Sequence, residues 1–310
     1  MRTPVIFKHA QNQTENDTGL NKGKGMPSKT YKTIPIVTHY WRPGEDYLEQ
    51  IVEALRGKVQ NADIVTISEK AISTASGNIV DESPIQDSTL ASVLAKHWMR
   101  LFWGHVLGNL CHLHGYTIRR FRNYPLQEGA KHKQLAIDRA GFLQALMPGS
   151  EGGIDGSNLP YSYVSLTIKD PQQVAEQIRH KIKSELQKEV TVMIVDTDKT
   201  FTCLNFHFTT RPVSTQGIKS HGGILAYFAG RFLKLRMRAT PIAVLGATMS
   251  AETALKVAAV ADRARGYGAG RSVWEMADTF DVSLTKVTWE MLDKVEHKPI
   301  VIVRPRRKNS

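Results

Sequence analysis

The run Val190-Thr-Val-Met-Ile-Val195, closed by Asp196-Thr-Asp198, constrains the fold more than any other segment. A stretch this short and this rich in β-branched side chains predicts a strand, whose C-terminal end delivers Asp196 and Asp198. Asp63-Ile-Val-Thr-Ile67, which leads into Ser68–Gly77, and Ile300-Val-Ile-Val303 after Pro299 predict two further buried strands. Thr33-Ile-Pro-Ile-Val-Thr-His39 predicts another, and Pro43-Gly44 turns the chain into a helix on which Tyr47, Ile51, Val52 and Leu55 share one face. Gln172–Leu186 carries Val174, Ile178, Ile182 and Leu186 at four-residue steps, an amphipathic helix, and Ala251–Arg263 is a second helix lined by Ala, Leu and Val. Residues 88–114 form a long helical region rich in Leu, Trp and Ala, with a break expected near Gly104 or Gly108. Tyr116–Lys133 mixes Arg119, Arg120, Arg122, Lys131 and Lys133 with Tyr116, Phe121 and Tyr124 and is expected as a half-buried strand with a solvated edge. Strands and helices alternate without a steady βαβ rhythm, so the expected class is α+β, with mixed sheets, packed helices and two intergrown subdomains.

A chain of 310 residues has apolar content enough for one large or two intergrown domains. The expected organisation is a polar, disordered tail over 1–30, a folded domain over 31–304 whose second subdomain centres on about 150–215, and a basic tail over 305–310. Cys111 and Cys203 stand far apart without a Cys-x-x-Cys partner, which argues against a disulfide framework or a zinc site and for a reducing cytoplasm. Trp98–Leu113, the longest apolar stretch, is too short and too interrupted to span a bilayer, and the N-terminus has no export pattern. The net charge of +12 suggests a polyanion, but residues 1–30 and 298–310 supply eight of those charges. Basic ends of this kind point to loose polyanion contact or solubility, so a sequence-specific reader of nucleic acid is not expected.

Two acidic clusters carry the chemistry: Gly153-Ile-Asp-Gly-Ser-Asn158 and Val195-Asp-Thr-Asp198. A loop aspartate flanked by Gly, Ser and Asn can approach a cation closely, and hard ions such as Mg²⁺ or Mn²⁺ take few protein carboxylates and leave positions for phosphate oxygens. The same residues also suit ordinary turns. His97, His105, His112 and His114 crowd one region, but their spacing does not put three on one helical face. Gly266-Tyr-Gly-Ala-Gly270 follows a helix where a dinucleotide fingerprint requires a strand, and neither a Gly-x₄-Gly-Lys phosphate loop nor a Gly-x-Ser-x-Gly elbow occurs.

The order of these motifs resembles the coenzyme F420-0:L-glutamate ligase family, GTP-dependent enzymes that attach glutamate to the deazaflavin F420-0 through amide bonds. The resemblance runs from about Thr38 to Arg304, with Asp81–Met147 and Gly266–Trp289 less alike. Asp63–Gly77 is similar to the family's strand and Ser-Lys-x-x-Ser-Lys-Ala-Glu-Gly-like loop, Gly153–Asn158 to its Gly-Ile-Asp-x-Ser-Asn motif, and Ile194–Thr197 to its Asp-Thr or Asp-Ser strand end. The resemblance implies that Asp155, Asp196 and Thr197 bind divalent metal, with Asp155 and Asp196 central to catalysis, and that Asn158 touches the nucleotide. It puts Thr38, His39, Tyr40, Trp41, Glu69 and Lys70 on nucleotide-contacting positions, and Thr74 where the family usually has a lysine. A late metal ligand falls on Asp293, with Glu296 as a second candidate. A homodimer is implied as well. Asp198-Lys-Thr-Phe replaces the family's usual Gly-Arg run, which leaves the acceptor acid open. The expected function is an NTP-dependent amide ligase (GTP by resemblance, or ATP) that uses Mg²⁺ or Mn²⁺. It would join an amino acid such as L-glutamate to a small-molecule carboxylate through an acyl phosphate; the alternative is a polyanion-binding protein on the same scaffold.

Overall fold

A computed structural model describes residues 30–306, of which Thr33–Arg304 form one compact unit. The 1–30 and 305–310 tails lie outside the described residues, apart from 30, 305 and 306.

The unit is built on a six-stranded mixed sheet. Its strands are β1 (Tyr31–Thr38), β2 (Ile64–Ser68), β5 (Thr191–Cys203), β6 (Phe206–Thr209), β7 (Arg236–Leu245) and β8 (His297–Pro305). They run in the order β1-β8-β2-β5-β6, with β7 on the other edge of β5. Two short strands, β3 (Ile79–Asp81) and β4 (Tyr163–Ser165), pair separately as an antiparallel ribbon. The three apolar runs of the sequence are adjacent strands: β2 lies between β8, antiparallel, and β5, parallel. A strand paired on both edges and buried on its faces favours apolar side chains, which is why these segments are mostly Val and Ile; Thr66, buried in β2, satisfies its hydroxyl on the Val301 carbonyl.

The Tyr47–Leu55 and Pro171–Leu186 helices supply that cover, packing Ile51, Leu55, Ile178 and Ile182 against Val65, Ile67, Val192, Ile194, Ile300 and Ile302. Their starts are set locally. Asp46 accepts hydrogen bonds from the Leu48 and Glu49 amides, and Asp170, followed by Pro171, accepts one from Gln173. The Ala251–Arg265 helix, capped by Ser250, packs on β7 and buries Leu255, Val257 and Ala258.

Four expectations are corrected. The helical region does not break at Gly104 or Gly108: Thr89–Val93 continues through a π-helical stretch, Leu94–Leu107, into Gly108–Leu110. Those glycines instead allow a neighbouring helix to approach, since a Cβ on Gly104 would meet Arg122 at 3.0–3.2 Å and one on Gly108 would meet Ile118 at 3.1 Å. That neighbour, Gly115–Arg122, occupies the segment expected as a strand, and Leu126–Ala140 follows it. Ile118 and Phe121, three apart, turn inward and leave the arginines outside, a helical period that the density of charge conceals. The segment after β2, likened to a loop, is the helix Glu69–Ala75. Finally, β5 does not end at the aspartates but runs on to Cys203. The overall class, mixed sheets with packed helices, is the expected one.

Candidate active site

Because β2 and β5 are parallel, their C-terminal halves open on the same side of the sheet. Ser68, the last residue of β2, pairs with Val195, and the chain then turns into the Glu69–Ala75 helix. From that point β5 has no neighbour on this edge until β6 joins at Thr200. On its other edge the register with β7 passes from Asp196↔Thr240 to Lys199↔Ala239, so Thr197 and Asp198 bulge out of the ladder. The bulge carries Asp196, Thr197 and Asp198 to the wall of a cavity of about 870 Å³.

Asp155 reaches the same cavity from a different element. Its backbone exchanges hydrogen bonds with Ser165 of β4, at 3.2 and 2.9 Å, and its Oδ1 accepts from the Ser157 amide at 2.7 Å. Lys70, the second residue of the helix after β2, places its Nζ 2.5 Å from Asp155 Oδ2 and donates to the Ser157 carbonyl at 2.7 Å and hydroxyl at 2.6 Å. Lys70 thus ties the glycine-rich loop to the end of the parallel strands.

Beneath the cavity sits Arg211, 1% exposed, a residue that no sequence motif singles out. Its Nη1 donates to Asp196 Oδ2 at 2.5 Å and lies 3.4 Å from Asp198 Oδ2, and its Nη2 donates to Glu69 Oε1 at 2.8 Å and Thr167 Oγ1 at 3.3 Å. Gly153, at φ +90°, makes room for it, because a Cβ there would lie 2.7 Å from Nη1 and 2.3 Å from Thr167 Oγ1. Burial pushes the Glu69 carboxyl up to about 7, with Arg211 opposing and Asp196 adding to the rise. Burial and the neighbouring Asp196 hold Asp198 well above the usual carboxylate range despite Arg211. For Asp196 burial is outweighed, first by Arg211 and then by bonds from Asp198, and its carboxyl stays below that range.

Of the other residues singled out in the sequence, Tyr40, Trp41, Thr74, Asn158 and Glu296 line the cavity; Thr38, His39, Glu69 and Asp293 do not. Thr38 donates to the His39 carbonyl at 2.8 Å, His39 pairs with Glu45, and Asp293 pairs with Arg42 at 2.5 Å. Thr74 bonds back to the Lys70 carbonyl within its own helix. Tyr40 stacks on His297, ring centroids 4.3 Å apart. The Asn158 amide is spent on the 266–270 loop: its Oδ1 accepts from the Ala269 amide at 2.7 Å, and its Nδ2 donates to the Tyr267 and Gly270 carbonyls at 3.1 and 2.8 Å. The glycine-rich loop set aside as a dinucleotide fingerprint is therefore part of the cavity wall, anchored by Asn158.

A second charged group, largely buried, contributes to another part of the cavity wall. His132 bridges Glu82 Oε1 at 2.6 Å and Glu151 Oε2 at 3.1 Å, and the fully buried Lys133 donates to Glu151 Oε1 at 2.5 Å. Of the cations of the Arg119–Lys133 stretch, Arg120 pairs with Asp278, Arg122 donates to the Gly104 carbonyl and Lys131 to the Ser83 carbonyl. Among the described residues no three His, Cys, Asp or Glu side chains already surround one point as a metal-binding group, His97, His105, His112 and His114 included. No helix among them is long and apolar enough to cross a membrane.

An acid-lined cavity at the carboxyl ends of a parallel strand pair, walled by side chains from distant segments, is the arrangement of an enzyme for small molecules. The chain belongs to the F420-0:gamma-glutamyl ligase family, whose sequence profile matches residues 35–279, and it is a ligase by that membership. It is 35% identical over 285 residues to an uncharacterized protein of Methanocaldococcus jannaschii, covering 88% of this chain and 96% of that one. It is 24% identical over 179 residues to coenzyme F420:L-glutamate ligase of Methanopyrus kandleri, covering 56% of this chain and 61% of the other.

Proposed function

We propose that this chain is an NTP-dependent amide ligase, with GTP the nucleotide that the resemblance favours over ATP. It phosphorylates a substrate carboxylate and lets the amino group of an amino acid such as L-glutamate displace phosphate. The observation that carries this reading is a charge imbalance. Glu69, Asp155, Asp196 and Asp198 put four carboxylates around two cations, Lys70 and Arg211. Burial first, and then the neighbouring Asp196, raises the Glu69 and Asp198 carboxyls, so both would ionise fully only beside an added positive charge. A divalent cation fits it in charge and in ligand type, for Mg²⁺ and Mn²⁺ take oxygen donors and need few from the protein. Asp155, Asp196 and Asp198 would hold the ion, with Thr197 beside them. Once bound, it would neutralise charge building on the transferred phosphoryl group.

The protein's own groups do the rest. Arg211 keeps Asp196 ionised and fixed in direction. Lys70, poised between Asp155 and Ser157, would turn its ammonium to phosphate when Asp155 takes a cation. Asn158 anchors the 266–270 loop in the cavity wall, where the loop would help to shield a hydrolysable intermediate from water. The resemblance extends to a homodimer, and the two free cysteines, Cys111 and Cys203, suit a reducing cytoplasm. The test is phosphate release from GTP or ATP with Mg²⁺ or Mn²⁺, across a panel of acids with L-glutamate. Asp155→Asn should lower that rate about a hundredfold or more while the protein stays folded. Wild-type turnover in this variant would overturn the assignment.

A further inference from the structure

The cations lining the cavity fall into two groups. Lys70, His132, Lys199, Arg265, Arg271 and Lys298 each face a carboxylate. Lys131 and Arg231 have no carboxylate partner among the described residues. Lys131 ends on the carbonyl of Ser83, next to Glu82 in the chain. Arg231 is held wholly by neutral groups: its Nε donates to the Cys111 carbonyl at 3.1 Å and its Nη2 to the His112 carbonyl at 3.2 Å, and its Nη1 lies 3.3 Å from Met237 Sδ. Two carbonyls fix the plane of the guanidinium without cancelling its charge, so it is oriented in advance for an anion.

Its place relative to the acids follows from the sheet. Met237 pairs across the ladder with Phe201. Phe201 is three residues beyond Asp198 on β5, about 10 Å at the rise of a strand. Leu113, Phe201, Tyr227 and Met237 line this end of the cavity. The cavity therefore has an acidic end for the chemistry, an apolar middle and an unneutralised cation at the far side.

We infer that Arg231 is a specificity-determining residue that receives a second anionic group, carboxylate or phosphate, at the far end of the acid substrate. The near end of that substrate, its reacting carboxyl beside Asp155 and Asp196, rests on the ligase reading above. Calorimetric titration of the full chain with three probes tests the far end alone. The probes are biphenyl-4-carboxylate, biphenyl-4,4′-dicarboxylate and 4′-phosphonobiphenyl-4-carboxylate. At least one dianion should bind the wild type about tenfold or more tighter than the monoanion, the size of one charge-assisted hydrogen bond. Which dianion binds better tells carboxylate from phosphate.

Arg231→Gln, which can still donate to the Cys111 carbonyl, should bring the ratio near one; Arg231→Lys should keep much of the preference. Met237→Glu supplies a second route should the glutamine variant not fold: a carboxylate placed beside Arg231 should also abolish the preference. An undiminished ratio in a folded variant, or a wild type that binds none of the probes or favours neither dianion, would overturn the inference. No nucleotide, metal or turnover enters this measurement, so failure of the ligase reading would show separately, in phosphate release.

Discussion

His132 and Arg211 show how a single side chain can hold carboxylates in an interior that would otherwise expel them. Burial opposes charge on His132, but Glu82 and Glu151 outweigh it and raise its pKa well above the ordinary value of 6.5. For Glu151 burial pushes the other way, and Lys133 and His132 together bring its pKa down to about 2 from 4.5. The two shifts fix a pH window by linkage. The stability supplied by His132 is complete below pH 6.5 and is lost as pH rises through its higher folded value. That supplied by Glu151 is complete above pH 4.5 and is lost as pH falls toward 2. His132→Gln should cost about 3 kcal/mol near pH 5.5, the penalty for leaving buried carboxylates without their partner. Urea midpoints of the two proteins should converge as pH rises through the folded value of His132; a constant difference would mean that the cluster does not titrate as a unit.

At the scale of elements, the site depends on two backbone departures: the bulge at Thr197 and Asp198, and the left-handed turn at Gly153. Gly153→Ala should destabilise the protein by about 2 kcal/mol or more, from strain at positive φ together with the clash against Thr167 and Arg211. A urea midpoint within experimental error of wild type would show that the loop relaxes freely. The strands were legible in the sequence because burial on both faces leaves a short run of Val and Ile, and its brevity and β-branching favour a strand over a buried helix. The Pro171–Leu186 helix was legible for a related reason: one buried face in four-residue steps. The Gly115–Arg122 helix was not. Its buried face is only Ile118 and Phe121, and the arginines around them match a strand edge as well as a helix surface. The extent of β5 was hidden too, since a bulge leaves no mark in hydrophobic periodicity and the aspartates resemble a terminus.

At the scale of the molecule, a cavity with surplus negative charge should be stabilised by the ion that cancels it. Mg²⁺ or Mn²⁺ at a hundred times its dissociation constant should raise the thermal midpoint by about 5 °C. Asp196→Asn should abolish that rise, whereas an equal gain in the variant would place the ion elsewhere. The sequence by itself determined the strand core, the main helices, the family resemblance and the two short acidic motifs that hold Asp155 and Asp196, because local periodicity and short motifs are written in neighbouring residues. Only the tertiary structure decided that Arg211 and Glu69 join Asp196 under the cavity, that Asn158 is spent on the 266–270 loop, and that Arg231 keeps its charge at the far end. Those facts depend on segments that meet only when β2 and β5 lie parallel and the helices close over them. Nothing in the order of residues along a chain records which buried charges will find each other across that distance.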